Sequence, residues 1–396
     1  MLRTINLFLT AAVMLTLTAP MATAGKPPNT VTPPIYYHIQ YFTGPGGNEI
    51  GPIYGMNNSG VMVGSYYNNG GNSGWLYNPS NTEAIDLNEY CDVPPGYTIA
   101  YATDINDLGY VVAGIETTAQ RDRSQPGFEA HGLLIDTWQT PWKTILLPDA
   151  RSASDAAVNI STGWKINNRG DILGTFIDPS DNGSPNSPAR AYLYTVDLAL
   201  IGDVNSDPLV LPLALIGRSK VAMNDPGPGF SLHIAGVAPD ATAFRYTPDS
   251  SQLRVLALEQ NAEIAINNGG VFCGRARVPK KGTQFASRPY LFNPDTQVSP
   301  TLIGTESAQG GEIAYGINDS GDVIMDHFLY RNATIIAIDN TVSGPNGDFY
   351  RNGLRGATQL SERTSNGFPI IGSSKTNLSP DFTWGCLLIP KSTPQP

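Results

Sequence analysis

Side chains able to carry a reaction are few in this 396-residue chain. It holds four histidines, His38, His131, His233 and His327, with no HExxH and no pair at zinc-ligand spacing. His131 and His327 each begin a short apolar run, HGLLI and HFLY, and such matching positions point to packing. NDSGD (318–322) has the look of a nucleophile loop, but its near-copies put Leu108, Arg169 and Gly269 where Ser320 stands, so that position is a free turn position. A GxSxG elbow is absent as well. In GDVNSDP (202–208), Asp203, Asn205 and Asp207 have the one, three, five spacing of a calcium loop, yet Pro208 replaces the required glycine and Ala214 the closing acid. An Asx-rich turn is the better reading. No catalytic residue, metal site or cofactor is assigned.

Composition narrows the classes further. With 34 acidic against 24 basic residues the formal charge is -10, which repels phosphate backbones and anionic lipid. Nucleic acid is therefore not an expected partner. Residues 1–24 combine Arg3, an apolar run and Ala22-Thr23-Ala24, the pattern of a secretory signal peptide cleaved after Ala24. No later segment is long and apolar enough to span a bilayer. Three cysteines, Cys91, Cys273 and Cys386, allow at most one disulfide; Cys273 and Cys386 read as small buried hydrophobes in strands.

With 41 Gly, 32 Pro and 15% charged residues the chain is turn-rich and built of short strands. One phrase organises it: MNNSGVMVG (56–64), INDLGYVVAG (105–114), INNRGDILG (166–174), INNGGVFCG (266–274) and INDSGDVIM (317–325). Degraded copies run over 222–236 and 358–372. Each is followed by an apolar and aromatic run, from GWLY (74–77) to WGCLL (384–388), giving seven units. The turn residues Asn57, Asn106, Asn167, Asn224, Asn267 and Asn318 lie 43 to 61 residues apart, a propeller-blade period.

Asn opening a type I turn and Gly at its fourth position predict a hairpin between the first two strands of each blade. Segments 144–149, 253–258 and 334–339 are expected outer strands. IYYHIQYF (35–42) precedes the first unit and is expected to complete the seventh blade, closing the ring. The expected organisation is a signal peptide (1–24), a linker (25–35), one all-β seven-bladed propeller of four-stranded blades (36–390) and a disordered tail (391–396).

The units resemble the HAF-type extracellular repeats of bacteria, through the INxxGxVVG phrase and the aromatic run after it. The likeness spans about residues 36–390; PGPG lengthens the fourth turn, and Met325 replaces the closing glycine of the sixth. The resemblance implies an exported β-propeller-like protein, secreted or periplasmic, and implies no reaction.

In a propeller the first strand of each blade lines the central channel. Two residues before each turn position stand Gly55, Asp104, Lys165, Ala222, Ala265, Gly316 and Gln359, mostly small as a crowded axis requires. Asp104 and Lys165, with Glu263 further out, are the candidate ligand-binding residues. No SxDxGxxW box of sialidase-like propellers occurs. The expected function is that of a monomeric, non-enzymatic exported protein binding a protein or glycan through face loops such as 68–74 and 178–190. The alternative is a polysaccharide-active hydrolase or lyase with paired carboxylates at the channel.

Overall fold

The structure is a computed structural model describing residues 36–391 outside segments 69–70, 119–128, 139–140, 149–160, 178–188, 197, 199–208, 216–220, 228, 280–284, 305–312, 326, 339–340, 342–353 and 377–382. Residues 1–35 and 392–396 lie outside the described residues, and with them the signal peptide, the linker and nearly all of the tail. The same holds for Asp203, Asn205 and Asp207, for most of the 178–190 loop, and for the side chain of Glu263.

The chain folds as a seven-bladed β-propeller. It opens with β1 (Tyr36–Phe42) and continues into blade 1, formed by β2 (Ile53–Met56), β3 (Met62–Asn68), β4 (Gly71–Tyr77) and β5 (Ile85–Asp86). After the short α1 (Leu87–Tyr90) come blade 2, β6 (Tyr97–Ile105), β7 (Tyr110–Thr117), β8 (Ala130–Asp136) and β9 (Lys143–Leu146), and blade 3, β10 (Ser161–Ile166), β11 (Asp171–Ile177), β12 (Ala189–Thr195) and β13 (Leu209–Leu215). Blade 4 has β14 (Val221–Met223), β15 (Ile234–Val237), β16 (Thr242–Thr247) and the first part of β17 (Gln252–Ile266). The second part of β17 is the inner strand of blade 5, with β18 (Phe272–Pro279), β19 (Phe285–Phe292) and β20 (Thr301–Leu302), so these two blades share one seven-stranded sheet. Blade 6 is β21 (Ala314–Ile317), β22 (Val323–Met325), β23 (Phe328–Arg331) and β24 (Thr334–Ala337). Blade 7 is β25 (Leu354–Arg363), β26 (Pro369–Thr376) and β27 (Thr383–Lys391), with β1 as its outer strand.

Closure thus takes the expected form: β1 runs antiparallel to β27 from Tyr36 opposite Lys391 to Phe42 opposite Gly385. The core confirms it. Described buried residues fall into seven apolar clusters, one in each seam between neighbouring blades. The seam between blades 7 and 1 unites Phe42 and Leu387 with Ile53, Met62 and Trp75. Because a blade buries both faces against its neighbours, its strands read as apolar runs more than as strict alternation.

In three copies the glycine closing the phrase makes room for a ring. A Cβ at Gly64 would strike Trp75, one at Gly114 would strike Tyr101, and one at Gly174 would strike Tyr192. Met325, at the corresponding place in blade 6, is itself buried and packs in the seam with blade 5. All three cysteines are free thiols; Cys273 and Cys386 are buried, and burial pushes Cys273 up to about 12. Among the described residues no helix is long and apolar enough to cross a membrane.

Candidate binding face at the repeat turns

The repeated phrase makes the turn its sequence requires. In five copies the fourth-position glycine (60, 109, 170, 270, 321) has positive φ, between 72° and 92°, and donates its N–H to the carbonyl of the turn Asn. The Asn Oδ1 caps the strand that follows: Asn57 accepts from Val61, Asn106 from Tyr110, Asn167 from Asp171, Asn267 from Val271 and Asn318 from Asp322, at 2.9–3.0 Å. In blade 4, where PGPG lengthens the turn, Asn224 keeps this role by accepting from His233 at 2.6 Å. Blade 7 substitutes Ser361, whose Oγ accepts from Ile370 at 2.9 Å.

The other half of each amide leaves the blade. Nδ2 of Asn57, Asn106, Asn167, Asn224, Asn267 and Asn318 donates at 3.1–3.3 Å to a backbone carbonyl in the next blade's turn. These six Asn are buried, so both ends of an otherwise costly amide are satisfied.

A second ring lies outside the first, made by the residue after each turn position: Asn58, Asp107, Asn168, Asp225, Asn268, Asp319 and Glu362. The backbone N–H of each donates to the side-chain oxygen of the next, at 2.6–2.9 Å, and Glu362 returns to Asn58, closing the circle. Amides and carboxylates alternate, so side chains pair too: Asn58 and Asn168 donate Nδ2 to Asp107 Oδ2 at 2.7 and 3.0 Å, and Asn268 donates to Asp319 at 2.7 Å. The alternation stands in the sequence as NN, ND, NN, ND, NN, ND, a signal one residue beyond the turn Asn positions that are legible from the repeat alone.

Seven is odd, so alternation fails once. Asp319 and Glu362 are neighbouring acids, joined by the Asp319 N–H to Glu362 Oε1 bond at 2.8 Å. Glu362 is held above the usual carboxylate range by partial burial and by the charges of Asp319, Asp322 and Asp107. Asp225 is raised by burial and by Asp107 and Asp319. A raised acid binds its proton more tightly folded than unfolded, so its charged form weakens folding as pH rises past its ordinary value. Glu362→Gln keeps the acceptor and removes that charge. It is expected to raise the thermal midpoint near about pH 7, the gain shrinking towards about pH 4, in paired melts.

The expected channel residues are placed as follows. Lys165 Nζ lies 3.8 Å from Asp104 Oδ1, joining blades 2 and 3, and Asp104 Oδ2 accepts the Ile166 N–H at 3.1 Å. Burial raises Asp104, opposed by Lys165. A Cβ on Gly55 would come within 2.7 Å of the Asp104 backbone, which is the crowding that small residues relieve. The structure therefore brings Asp104 and Lys165 together as a seam pair. In five blades a register shift falls just before this channel position, so that Tyr54, Thr103, Trp164, Tyr315 and Thr358 are extra residues in the inner strand, a bulge the sequence did not announce.

Antiparallel blades place the first-to-second and third-to-fourth strand turns at one end of the molecule. That end carries the polar rings. It also exposes Leu108 (44%) in the blade 2 turn, Trp138 (74%) after β8, and Phe230 (68%) in the lengthened blade 4 turn. Among the described residues no group of three or more His, Cys, Asp or Glu is placed to hold a metal ion.

No family model and no curated protein matches the chain. Solved structures similar in fold include the acylaminoacyl peptidase of Pyrococcus horikoshii (11% identity, 80% of this chain and 48% of that one, TM-score 0.44). An oligogalacturonate lyase from Vibrio parahaemolyticus (11%, 90% and 92%, 0.35) and a fucose-specific lectin from Aleuria aurantia (11%, 76% and 89%, 0.34) are similar as well. The chain spans about half the length of the peptidase.

Proposed function

We propose that the chain is an exported, non-enzymatic binding protein that holds a glycan or protein partner at the cell exterior, and that it does so as a monomer through the turn face. Export rests on the signal-like residues 1–24 and on the resemblance to extracellular repeats. One observation carries the binding reading: amide and carboxylate groups are fixed in a closed hydrogen-bonded ring beside exposed Leu108, Trp138 and Phe230. Pre-ordered polar groups next to exposed apolar surface bind with little entropic cost of ordering. The ring acids accept backbone N–H groups and serve as structure first.

A second reading has its own observation. Glu362, raised and beside Asp319, is the kind of paired acid that a polysaccharide hydrolase or lyase uses. Incubating the purified protein with a panel of extracellular polysaccharides, with and without calcium, separates the readings. Retention without new reducing ends supports the binding protein. New reducing ends that vanish in Glu362→Gln support the enzyme.

A further inference from the structure

We propose that Trp138 is the stacking platform of a saccharide subsite on the turn face, selective for neutral or amino sugars over anionic ones. The inference rests on the binding reading above and gives it a ligand class. Trp138 is 74% exposed, yet it is fixed. Its indole N–H donates to the Leu108 carbonyl, its backbone N–H donates to Asp136 Oδ1 at 2.9 Å, and the neighbouring Thr137 hydroxyl donates to the Gly109 carbonyl at 2.8 Å. Gly109 has positive φ, and a Cβ there would lie 3.4 Å from Trp138 Nε1, so the turn backbone supports the pyrrole edge of the indole. A large apolar ring is thus held still in water with its remaining surface open, and the polar end that a Trp brings to an interface is already satisfied.

The same turn supplies the polar partner. Asp107 precedes Leu108, one Cα step of about 3.8 Å away, and its exposed carboxylate is aimed by Asn58 and Asn168. The C–H face of a pyranose would lie on the indole while one of its hydroxyls donates to Asp107 Oδ1, which accepts only the Asn58 N–H within the ring. Oδ2 already accepts from both Asn58 and Asn168, so the contact is a single one, of the stronger kind made to a charged group.

Charge sets the selectivity. Asp107, Asp225, Asp319 and Glu362 stand on one ring, and the nearby Arg169 is turned to Asp171 at 2.7 Å. A uronate or sulfate would meet repulsion here, whereas a hydroxyl or a sugar ammonium would not.

The test is affinity electrophoresis and titration of the full-length protein with a neutral β-glucan, a mannan, a xylan, a chitosan oligomer and polygalacturonate. The wild type is expected to bind at least one neutral or amino polymer and not polygalacturonate. Trp138→Ala should weaken binding about tenfold, Trp138→Phe should retain most of it, and the thermal midpoint of both should stay that of the wild type. Wild-type affinity in Trp138→Ala, or preference for polygalacturonate, overturns the subsite and leaves the binding reading standing. Binding of no saccharide overturns the ligand class alone, since capture of a protein partner would still satisfy that reading. New reducing ends that vanish in Trp138→Ala would support the subsite while removing the non-enzymatic reading.

Discussion

A chain beginning at residue 43 is expected to lose its cooperative melt and precipitate, although only one of four strands of blade 7 has gone. The cause is closure. β1 supplies Tyr37, Ile39 and Phe42, all at or below 3% exposure. Phe42 reaches across the seam, its ring stacked on Tyr77 of blade 1 at 3.7 Å between centroids, and Tyr37 donates its hydroxyl to Pro369 at 3.2 Å. Each fully buried side chain of this size contributes about 1.5–3 kcal/mol, and the ladder to β27 is lost with them. That loss is comparable to the total stability of a domain, about 5–15 kcal/mol. It also leaves β27 as an unprotected edge beside a vacated seam, an invitation to pair with another chain. A chain beginning at residue 36 keeps the strand and should melt as the full protein does. Circular dichroism melts and sedimentation of the two versions check this; a soluble, cooperative protein starting at 43 would show that the ring holds without its N-terminal strand.

Arg363→Ala is expected to cost about 3 kcal/mol in denaturant unfolding, the order seen when one partner of a buried ion pair is removed. Asp322 is fully buried in blade 6, and Arg363 of blade 7 grips it with two bonds, Nη2 to Oδ1 at 2.6 Å and Nε to Oδ2 at 2.8 Å. Arg331 stands 3.9 Å away as a weaker third member, and Asn318 Nδ2 donates to the carboxylate at 3.3 Å. Removing the guanidinium leaves the buried carboxylate with only the longer Arg331 contact and the Asn318 amide to offset its charge. Arg363→Lys keeps the charge without the fork and should fall between. Adding Asp322→Asn to Arg363→Ala should recover part of the loss, since the under-compensated buried charge is what makes the single variant costly. Equal stability of Arg363→Ala and wild type would mean that the clamp is dispensable.

Much of this architecture was legible because it is written seven times. The Asn and Gly of each phrase specify a turn by local chemistry alone, so blade count, hairpin positions and the role of 36–42 follow from counting copies. The inner-strand bulges at Tyr54, Thr103, Trp164, Tyr315 and Thr358 were not legible, because a bulge answers to curvature around the axis and not to residue type. The joining of blades 4 and 5 through β17 was hidden for a similar reason, since a long strand and two short ones share one composition. The Asp322–Arg363 clamp is 41 residues apart in the chain and adjacent only across a seam. On the candidate site, the sequence pointed to the channel residues Asp104 and Lys165, which the structure places 3.8 Å apart between blades 2 and 3. The turn-face ring needed the seam geometry before its alternating Asn and Asp could be understood, and Trp138 is a lone residue that no repeat flags.

The repeated phrase uses its polar groups to clasp neighbouring blades and leaves its outer surface to bind. Amide hydrogen exchange tests it most directly, at Asn58, Asp107, Asn168, Asp225, Asn268, Asp319 and Glu362. Residues in surface turns ordinarily exchange through low-energy local opening. If each N–H is held by the neighbouring blade's side chain, all seven should exchange as slowly as core strand amides such as Ile115 and Leu134, and open together. Exchange of the seven at the rate of an unstructured peptide would contradict the clasp, and with it the fixed face on which the binding proposal stands.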